Sequence, residues 1–268
     1  MNPVILSLSV GEPPSPSGVS FLAHLQSVSR VRLLPRKPEE MWQWIDLLRG
    51  KRISIDINAD EARRLPVRFP EINPAIRQIR ILINHIDEIS DLVDHIRGSA
   101  CIPPLVFLLP IDSLEVFEER WSIIKRWSSV FINLIPGKED NRLLNINTLS
   151  LCRGELGKRL FLSLPALAAF INDPDAAPCP TRLGLHVYID ADSNVARSCD
   201  CGLAQDIPID GEGLWLDAWR AQVYSLGKKV AIACDGCPIW EQCRGGCISK
   251  RSDGTMRDRY CPWPDKSF

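Results

Sequence analysis

Residues 234–262, CDGCPIWEQCRGGCISKRSDGTMRDRYCP, contain five cysteines in the pattern C-x2-C-x5-C-x3-C-x13-C. Thiolates are soft, negatively charged ligands that favour iron-sulfur clusters and zinc. Two cysteines separated by two residues can reach one metal centre from a single turn. Three more cysteines lie just upstream, so eight of the ten fall between residues 179 and 261. This spacing predicts a metal-centre domain in the last third of the sequence.

Three kinds of cysteine chemistry compete for such a cluster. The gaps of five and three residues are shorter than the long spacer of a zinc finger or zinc ribbon, so iron-sulfur clusters rank first and zinc second. Disulfides rank last, because the opening residues MNPVILSLSV carry neither the charged region nor the cleavage site of a secretion signal. We therefore expect a cytoplasmic protein with reduced cysteines.

The same stretch resembles the second half of a SPASM domain, the auxiliary-cluster module of many radical S-adenosylmethionine enzymes. The family pattern has a first cysteine, a glycine five residues before a second cysteine, then the C-x2-C-x5-C-x3-C run and a last cysteine. Asn194 stands where the family has glycine, and asparagine is the next-best residue for a left-handed turn. All seven family cysteines have counterparts here: Cys179, Cys199, Cys234, Cys237, Cys243, Cys247 and Cys261.

This resemblance implies two [4Fe-4S] clusters. Carried over cysteine by cysteine, the first would be held by Cys234, Cys237, Cys243 and Cys261, and the second by Cys179, Cys199 and Cys247. Cys201, two residues beyond Cys199, is the candidate fourth ligand of the second cluster. Without that ligand, one iron would stay open to a substrate or an external thiolate.

The preceding part of the chain has the pattern of an α/β domain. From residue 4 to about 164, runs such as VILSLSV, RISIDIN and LVFLL alternate with helical patterns, which implies parallel strands with right-handed crossovers. We predict a partial, truncated TIM-like barrel over residues 1–171, a linker over 172–178 and a small SPASM-like iron-sulfur domain over 179–268. Residues 214–229 predict an amphipathic helix with Trp215 and Trp219 one turn apart.

Two features bear on S-adenosylmethionine. Relatives build the cluster that cleaves it from C-x3-C-x2-C after the first barrel strand, and residues 1–100 contain no cysteine. The first strand here ends in Gly11, Glu12 and Pro13, which is similar to the Gly-Gly-Glu-Pro end of the family's second strand, where the cofactor's amino group is contacted. These three residues are predicted to be a remnant of that contact, and an ordinary Gly-Glu-Pro turn is the alternative. S-adenosylmethionine is thus the weaker cofactor prediction, and this chain is not expected to generate a radical alone.

By this alignment the sequence begins at the second barrel strand, which predicts an unpaired strand edge to which a partner could add. The predicted partners are a radical S-adenosylmethionine subunit and a peptide or protein substrate. The chain would then be a relative that lacks the cofactor-cleaving cluster and whose auxiliary clusters relay electrons or hold a substrate. Alternatively, it would be most of an enzyme that is completed by a segment supplied elsewhere. The alternative from another class is a zinc-stapled scaffold without a redox role.

Composition argues against other function classes. The 268 residues are 45% hydrophobic and carry a formal net charge of −1, which suits a globular protein and argues against a nucleic-acid or anionic-membrane surface. No apolar run approaches the roughly 20 residues that a bilayer requires. Asp190, Asp192 and Asn194 look like the start of a calcium loop but lack its glycine and glutamate. The four histidines are scattered singly, so no general base is predicted.

Overall fold

The computed structural model describes residues 2–16, 18–64, 75–84, 87–97, 103–110, 130–135, 154, 157–162, 168, 178–181, 183–199, 204–228, 234–246 and 261. The strands in these ranges are β1 Ile5–Val10, β2 Arg30–Pro35, β3 Arg52–Asn58, β4 Ile76–Leu82, β5 Leu105–Pro110, β6 Val130–Ile135, β7 Leu160–Leu162, β8 His186–Asp190, β9 Val195–Arg197 and β10 Ile207–Pro208. The α-helices are α1 Met41–Leu47, α2 Ala59–Arg64, α3 Glu88–Arg97, α4 Trp215–Lys228 and α5 Trp240–Cys243.

The described strands form one mostly parallel sheet. Their order is β10-β9-β8-β1-β2-β3-β4-β5-β6-β7. Strand β1 is parallel to β2 and β8, and β6 is parallel to β5 and β7, whereas the short β9 is antiparallel to β8 and β10. The predicted α/β class is therefore confirmed, and the finer expectation of a partial barrel stays a prediction.

The chain divides into two compact units. The first comprises Met1–Ile57, Ile72–Ile79 and Pro180–Lys229, and the second comprises Asn58–Glu71, Arg80–Cys179 and Val230–Phe268. The predicted linker, residues 172–178, lies almost wholly outside the described residues. The division into residues 1–171 and 179–268 therefore stays a prediction. Among the described helices, none combines the length and apolar character needed to cross a bilayer.

Strand β1 is the centre of the first unit and is buried on both faces. Leu6 and Leu8 on one face and Ser7 on the other have no exposed surface. Burial of both faces is what a central parallel strand requires. Within this core, the imidazole of His186 contacts Ser7 Oγ at 2.8 Å and Thr181 Oγ1 at 3.3 Å, so both of its ring nitrogens have hydrogen-bond partners.

The sequence predicted an unpaired edge at β1, but in the structure that edge is paired. Strand β8 lies parallel to β1 on the side opposite β2, with Ile5 opposite His186 and Ser9 opposite Asp190. The prediction of an unpaired edge at β1 was therefore wrong, because the chain supplies the neighbouring strand itself. Ser7 and His186 are 179 residues apart in sequence, and no local pattern links two strands at that separation.

Two local predictions near the cysteines are confirmed. Helix α4 carries Trp215 and Trp219, which are 1% and 0% exposed. Asn194 has a φ of +54°, so asparagine makes the left-handed turn that glycine makes in the family pattern.

Helix α2 was not predicted. Its first turn is closed by a reciprocal pair of hydrogen bonds, in which Asn58 Oδ1 accepts the N–H of Glu61 and Glu61 Oε2 accepts the N–H of Asn58, each at 2.8 Å. This pair is a capping box, and the N-x-x-E spacing that makes it was the sequence signal for the helix.

Candidate functional site

Four of the predicted metal ligands line one small cavity in the second unit. Cys234, Cys237, Cys243 and Cys261 surround a space of about 20 Å³, together with Ile239, Trp240 and Gly245. Cys243 is 6% exposed, and Ile239 and Cys261 pack against it. The structure thus brings together the four cysteines that the resemblance assigned to one cluster. Their binding of metal stays a prediction.

Tight turns bring these cysteines to the cavity. The N–H of Cys237 donates to the Cys234 carbonyl at 3.2 Å, and the N–H of Trp240 donates to the Cys237 carbonyl at 3.1 Å. Helix α5 ends at Cys243, and the next three residues, Arg244, Gly245 and Gly246, have φ values of +50°, +82° and +67°. Glycine adopts this left-handed region without strain, so the chain can reverse directly after Cys243.

The donor set of the cavity fits an iron-sulfur cluster. Among its described lining residues the possible ligands are all thiols, without a carboxylate or imidazole, and four cysteine thiolates are the ligand set of a [4Fe-4S] cluster. The side chain of Ile239 and the indole of Trp240 would limit the access of water to a bound cluster, which influences its redox potential.

A single metal ion, unlike a cluster, requires that its ligands converge on one point. In the described ranges, no three His, Cys, Asp or Glu side chains lie close enough together to hold one ion. In a [4Fe-4S] cluster each cysteine binds its own iron, so its ligands need not converge on one point.

The second predicted ligand set is described only in part. Cys247 and Cys201 lie outside the described residues. Cys179 is half-buried in the second unit, and Cys199 belongs to the first unit, where it is 5% exposed. The grouping of these cysteines as a second cluster site therefore stays a prediction.

Cys199 is disulfide-bonded, although the sequence ranked disulfides last. A thiol held beside another thiol can be oxidised to a disulfide when no metal occupies both. Because thiolate is the species that ligates metal, Cys199 must be reduced before it can serve as a cluster ligand.

Arg244 is the described member of the basic group around the last cysteines. It forms an ion pair with Glu241, and its guanidinium lies 5.8 Å from the centre of the Trp240 ring. Part of its charge is therefore balanced locally. The other members of the group, Lys250, Arg251, Arg257 and Arg259, lie outside the described residues.

In the first unit, the Gly11-Glu12-Pro13 turn is bound by side chains of the chain itself. Asp192 Oδ1 accepts the N–H of Gly11 at 3.1 Å and the N–H of Glu12 at 3.2 Å. The Glu12 carbonyl accepts the indole N–H of Trp44 at 2.9 Å, and the Glu12 carboxylate pairs with Lys37 Nζ at 2.6 Å. A Cβ at residue 11 would lie 2.6 Å from Asp192 Oδ2, so the carboxylate would have to shift to admit one.

Arg36 holds the two aspartates over this turn. Its guanidinium pairs with Asp190 and, at 3.2 Å, with Asp192. Burial acts to lower the pKa of Arg36, but attraction to Asp190 and Asp192 outweighs it and leaves the pKa raised. The two aspartates that look like the start of a calcium loop are thus ion-paired and serve the turn.

Comparison with solved structures identifies similar architectures. The chain is similar to "Native anSMEcpe with bound AdoMet and Cp18Cys peptide", with 9% identity and a TM-score of 0.60 over 97% of this chain and 94% of that chain. It is also similar to "Native anSMEcpe with bound AdoMet", with 10% identity and a TM-score of 0.55 over 96% and 94%. The protein in both is an anaerobic sulfatase-maturating enzyme of the radical S-adenosylmethionine/SPASM family. This chain shares its fold.

The resemblance found in the sequence is therefore confirmed at the level of the fold, which is all that 9–10% identity shows. No protein-family model and no curated protein matches the sequence.

The surroundings of the Gly-Glu-Pro turn are occupied by groups of the chain itself. The carbonyls of Val10 and Glu12 accept N–H groups from Arg36 and Trp44, and each carbonyl oxygen can accept a second hydrogen bond. Asp192 covers Gly11 as well. Both interpretations of Gly11, Glu12 and Pro13, the cofactor contact and the ordinary turn, stay predictions.

The residues that close this turn were missed in the sequence. Their signal was charge at the carboxyl ends of the two strands that flank β1: Arg36 directly follows β2, and Asp190 ends β8. The long arginine side chain reaches across the end of β1 to pair with the aspartate.

Proposed function

We propose that this chain is an iron-sulfur protein of peptide or protein maturation that carries two [4Fe-4S] clusters and works with a separate source of the radical. The observation that supports the proposal is the convergence of Cys234, Cys237, Cys243 and Cys261 on one cavity. Its relation to maturases is supported by the shared fold.

The chain's own residues have three tasks in this proposal. The four thiolates bind the first cluster, which supplies one-electron transfer when bound. Ile239 and Trp240 limit the access of water to it. The left-handed residues after Cys243 allow the chain to turn back without strain at the two glycines.

The proposed partners are a radical S-adenosylmethionine subunit and a peptide or protein substrate. Two observations support them: residues 1–100 contain no cysteine for a C-x3-C-x2-C motif, and a peptide is bound in one similar structure. The proposal includes a cytoplasmic location, where thiols stay reduced and Cys199 can act as a ligand.

The deciding experiment is metal analysis of the full chain purified without oxygen. We expect about eight irons with matching sulfide, and a paramagnetic resonance signal after reduction with dithionite, because two [4Fe-4S] clusters contain eight irons. One or two zinc ions without sulfide would replace the proposal by the zinc-stapled scaffold. About four irons would retain the cysteine cavity and remove the second cluster.

A further inference from the structure

Three arginines on neighbouring strands of the first unit border one open cavity. Arg30 and Arg52 are the first residues of β2 and β3, and Arg77 is the second residue of β4. Together with Ile53, Ser54 and Gln78 they line a space of about 470 Å³. A space of this size accommodates a small ligand. The cavity shares no residue with the cysteine cavity.

These arginines differ from others of the described chain in their pairing. Arg32, on the same strand as Arg30, pairs with Asp56 at 2.7 Å, and Arg49 pairs with Asp46 at 2.9 Å. Over the described ranges, no carboxylate pairs with Arg30, Arg52 or Arg77. With respect to the described residues, the three guanidinium groups therefore keep their hydrogen-bond donors available for a ligand.

The register of the sheet makes this charge unfavourable for the protein alone. Arg30 lies directly opposite Arg52 in the β2–β3 pair, and like charges at opposed positions destabilise a sheet. Neighbouring strands are about 4.8 Å apart, so each added strand brings its cation close to the previous one. An anion between them would remove this repulsion and accept hydrogen bonds from two or three guanidinium groups.

We propose that Arg30, Arg52 and Arg77 form a binding site for a small oxyanion with several negative charges. The guanidinium group presents a planar fork of donors that matches phosphate and carboxylate oxygens in pairs. The side-chain amide of Gln78 adds an uncharged donor at the wall of the cavity. Both phosphate and polycarboxylate ligands share this chemistry.

Calorimetry of the full chain with inorganic pyrophosphate and with citrate, at low salt, tests the site. We expect at least one of the two probes to bind, and its affinity to fall about tenfold in Arg52→Gln, since one charge-assisted contact is lost. Binding of pyrophosphate alone would assign a phosphate ligand, and binding of citrate alone a polycarboxylate. The matched control is Arg49→Gln, which removes an exposed arginine of the turn after α1, outside the cavity, and should bind as the wild type does.

Two results would overturn the site. One is the absence of heat for both probes up to about 10 mM. The other is an equal loss of affinity in Arg49→Gln and Arg52→Gln, which would indicate general charge attraction.

Thermal unfolding gives an independent readout: without ligand, Arg52→Gln should unfold at an equal or higher temperature than the wild type, because the opposed charges are reduced. A lower unfolding temperature would contradict the repulsion between Arg30 and Arg52. Neither measurement depends on iron content.

Discussion

Asp192 Oδ1 lies 3.1 Å from the backbone nitrogen of Gly11, although 181 residues separate the two in sequence. The bond joins the turn after β8 to the end of β1, where β8 pairs with β1. The same oxygen accepts the N–H of Glu12. One carboxylate therefore accepts hydrogen bonds from two backbone N–H groups that follow β1. It joins two segments of the first unit that lie far apart in sequence.

Replacing Gly11 by alanine should destabilise the protein. The new Cβ would lie 2.6 Å from Asp192 Oδ2, so the carboxylate has to move and its bonds weaken. We expect a loss of about 1–3 kcal/mol in the free energy of unfolding, measured by urea titration. Gly211→Ala is the matched control, because a Cβ there meets nothing within 4 Å. Equal losses for the two variants would show that contact with Asp192 is not the cause.

Titration of S-adenosylmethionine should give no saturable heat at about 1 mM, a concentration that detects weak binding. The carboxylates at the strand end are already ion-paired, Glu12 with Lys37 and Asp192 with Arg36, so the cofactor's amino group would have to displace one of these cations. Calorimetry of the iron-loaded protein under anaerobic conditions is the measurement. Saturable heat that disappears in Trp44→Phe, which keeps an aromatic ring but removes the indole N–H, would show that the cofactor depends on this turn.

Cys237→Ser should remove about four irons and leave about four, since Cys237 lines the cavity assigned to one of two clusters. Iron and sulfide content of the anaerobically purified variant measures this. Cys101→Ser, outside the predicted ligand sets, should keep the full content. Loss of all metal in Cys237→Ser would contradict two separate clusters.

Trp219→Ala should be among the most damaging single substitutions in α4. The indole is fully buried, and removing such a side chain costs about 3–5 kcal/mol in the free energy of unfolding. On the same helix, Tyr224 is 64% exposed, so Tyr224→Ala should change stability by about 0.5 kcal/mol or less. Chemical denaturation followed by circular dichroism compares them, and similar losses would mean that α4 does not pack as described.

The pair between Lys37 and Glu12 should make a small contribution to stability that is lost at alkaline pH. Hydrogen bonding to Glu12 raises the pKa of Lys37 above its ordinary value of 10.5. A raised pKa means that the folded state holds the proton more tightly, so the contribution is complete below pH 10.5 and disappears as pH rises through the raised value. Unfolding temperatures of wild type and Lys37→Met should therefore converge above that pH. A difference that persists there would assign the effect to packing of the side chain.

The sequence predicts the local elements of the fold well and its long-range pairing poorly. Strands such as β3 and β5 were evident because a β-branched run is a local signal. The cysteine cavity was likewise foreseen, since its spacing lies within 28 residues, from Cys234 to Cys261. The pairing of β8 with β1 and the contact of Asp192 with Gly11 depend on which distant segments meet, and periodicity carries no information on that choice.

Because β8 is synthesised long after β1, their pairing affects how the protein folds during translation. Ribosomes add about 5–20 residues per second, so strand β1 waits roughly 10–40 s before β8 has been made. During that interval β1 can pair with β2, but its other edge, with its unpaired backbone N–H and C=O groups, remains open to neighbouring nascent chains. We expect protection of this edge by a chaperone, or slow elongation, to decide how much of the protein reaches its folded state in the cell.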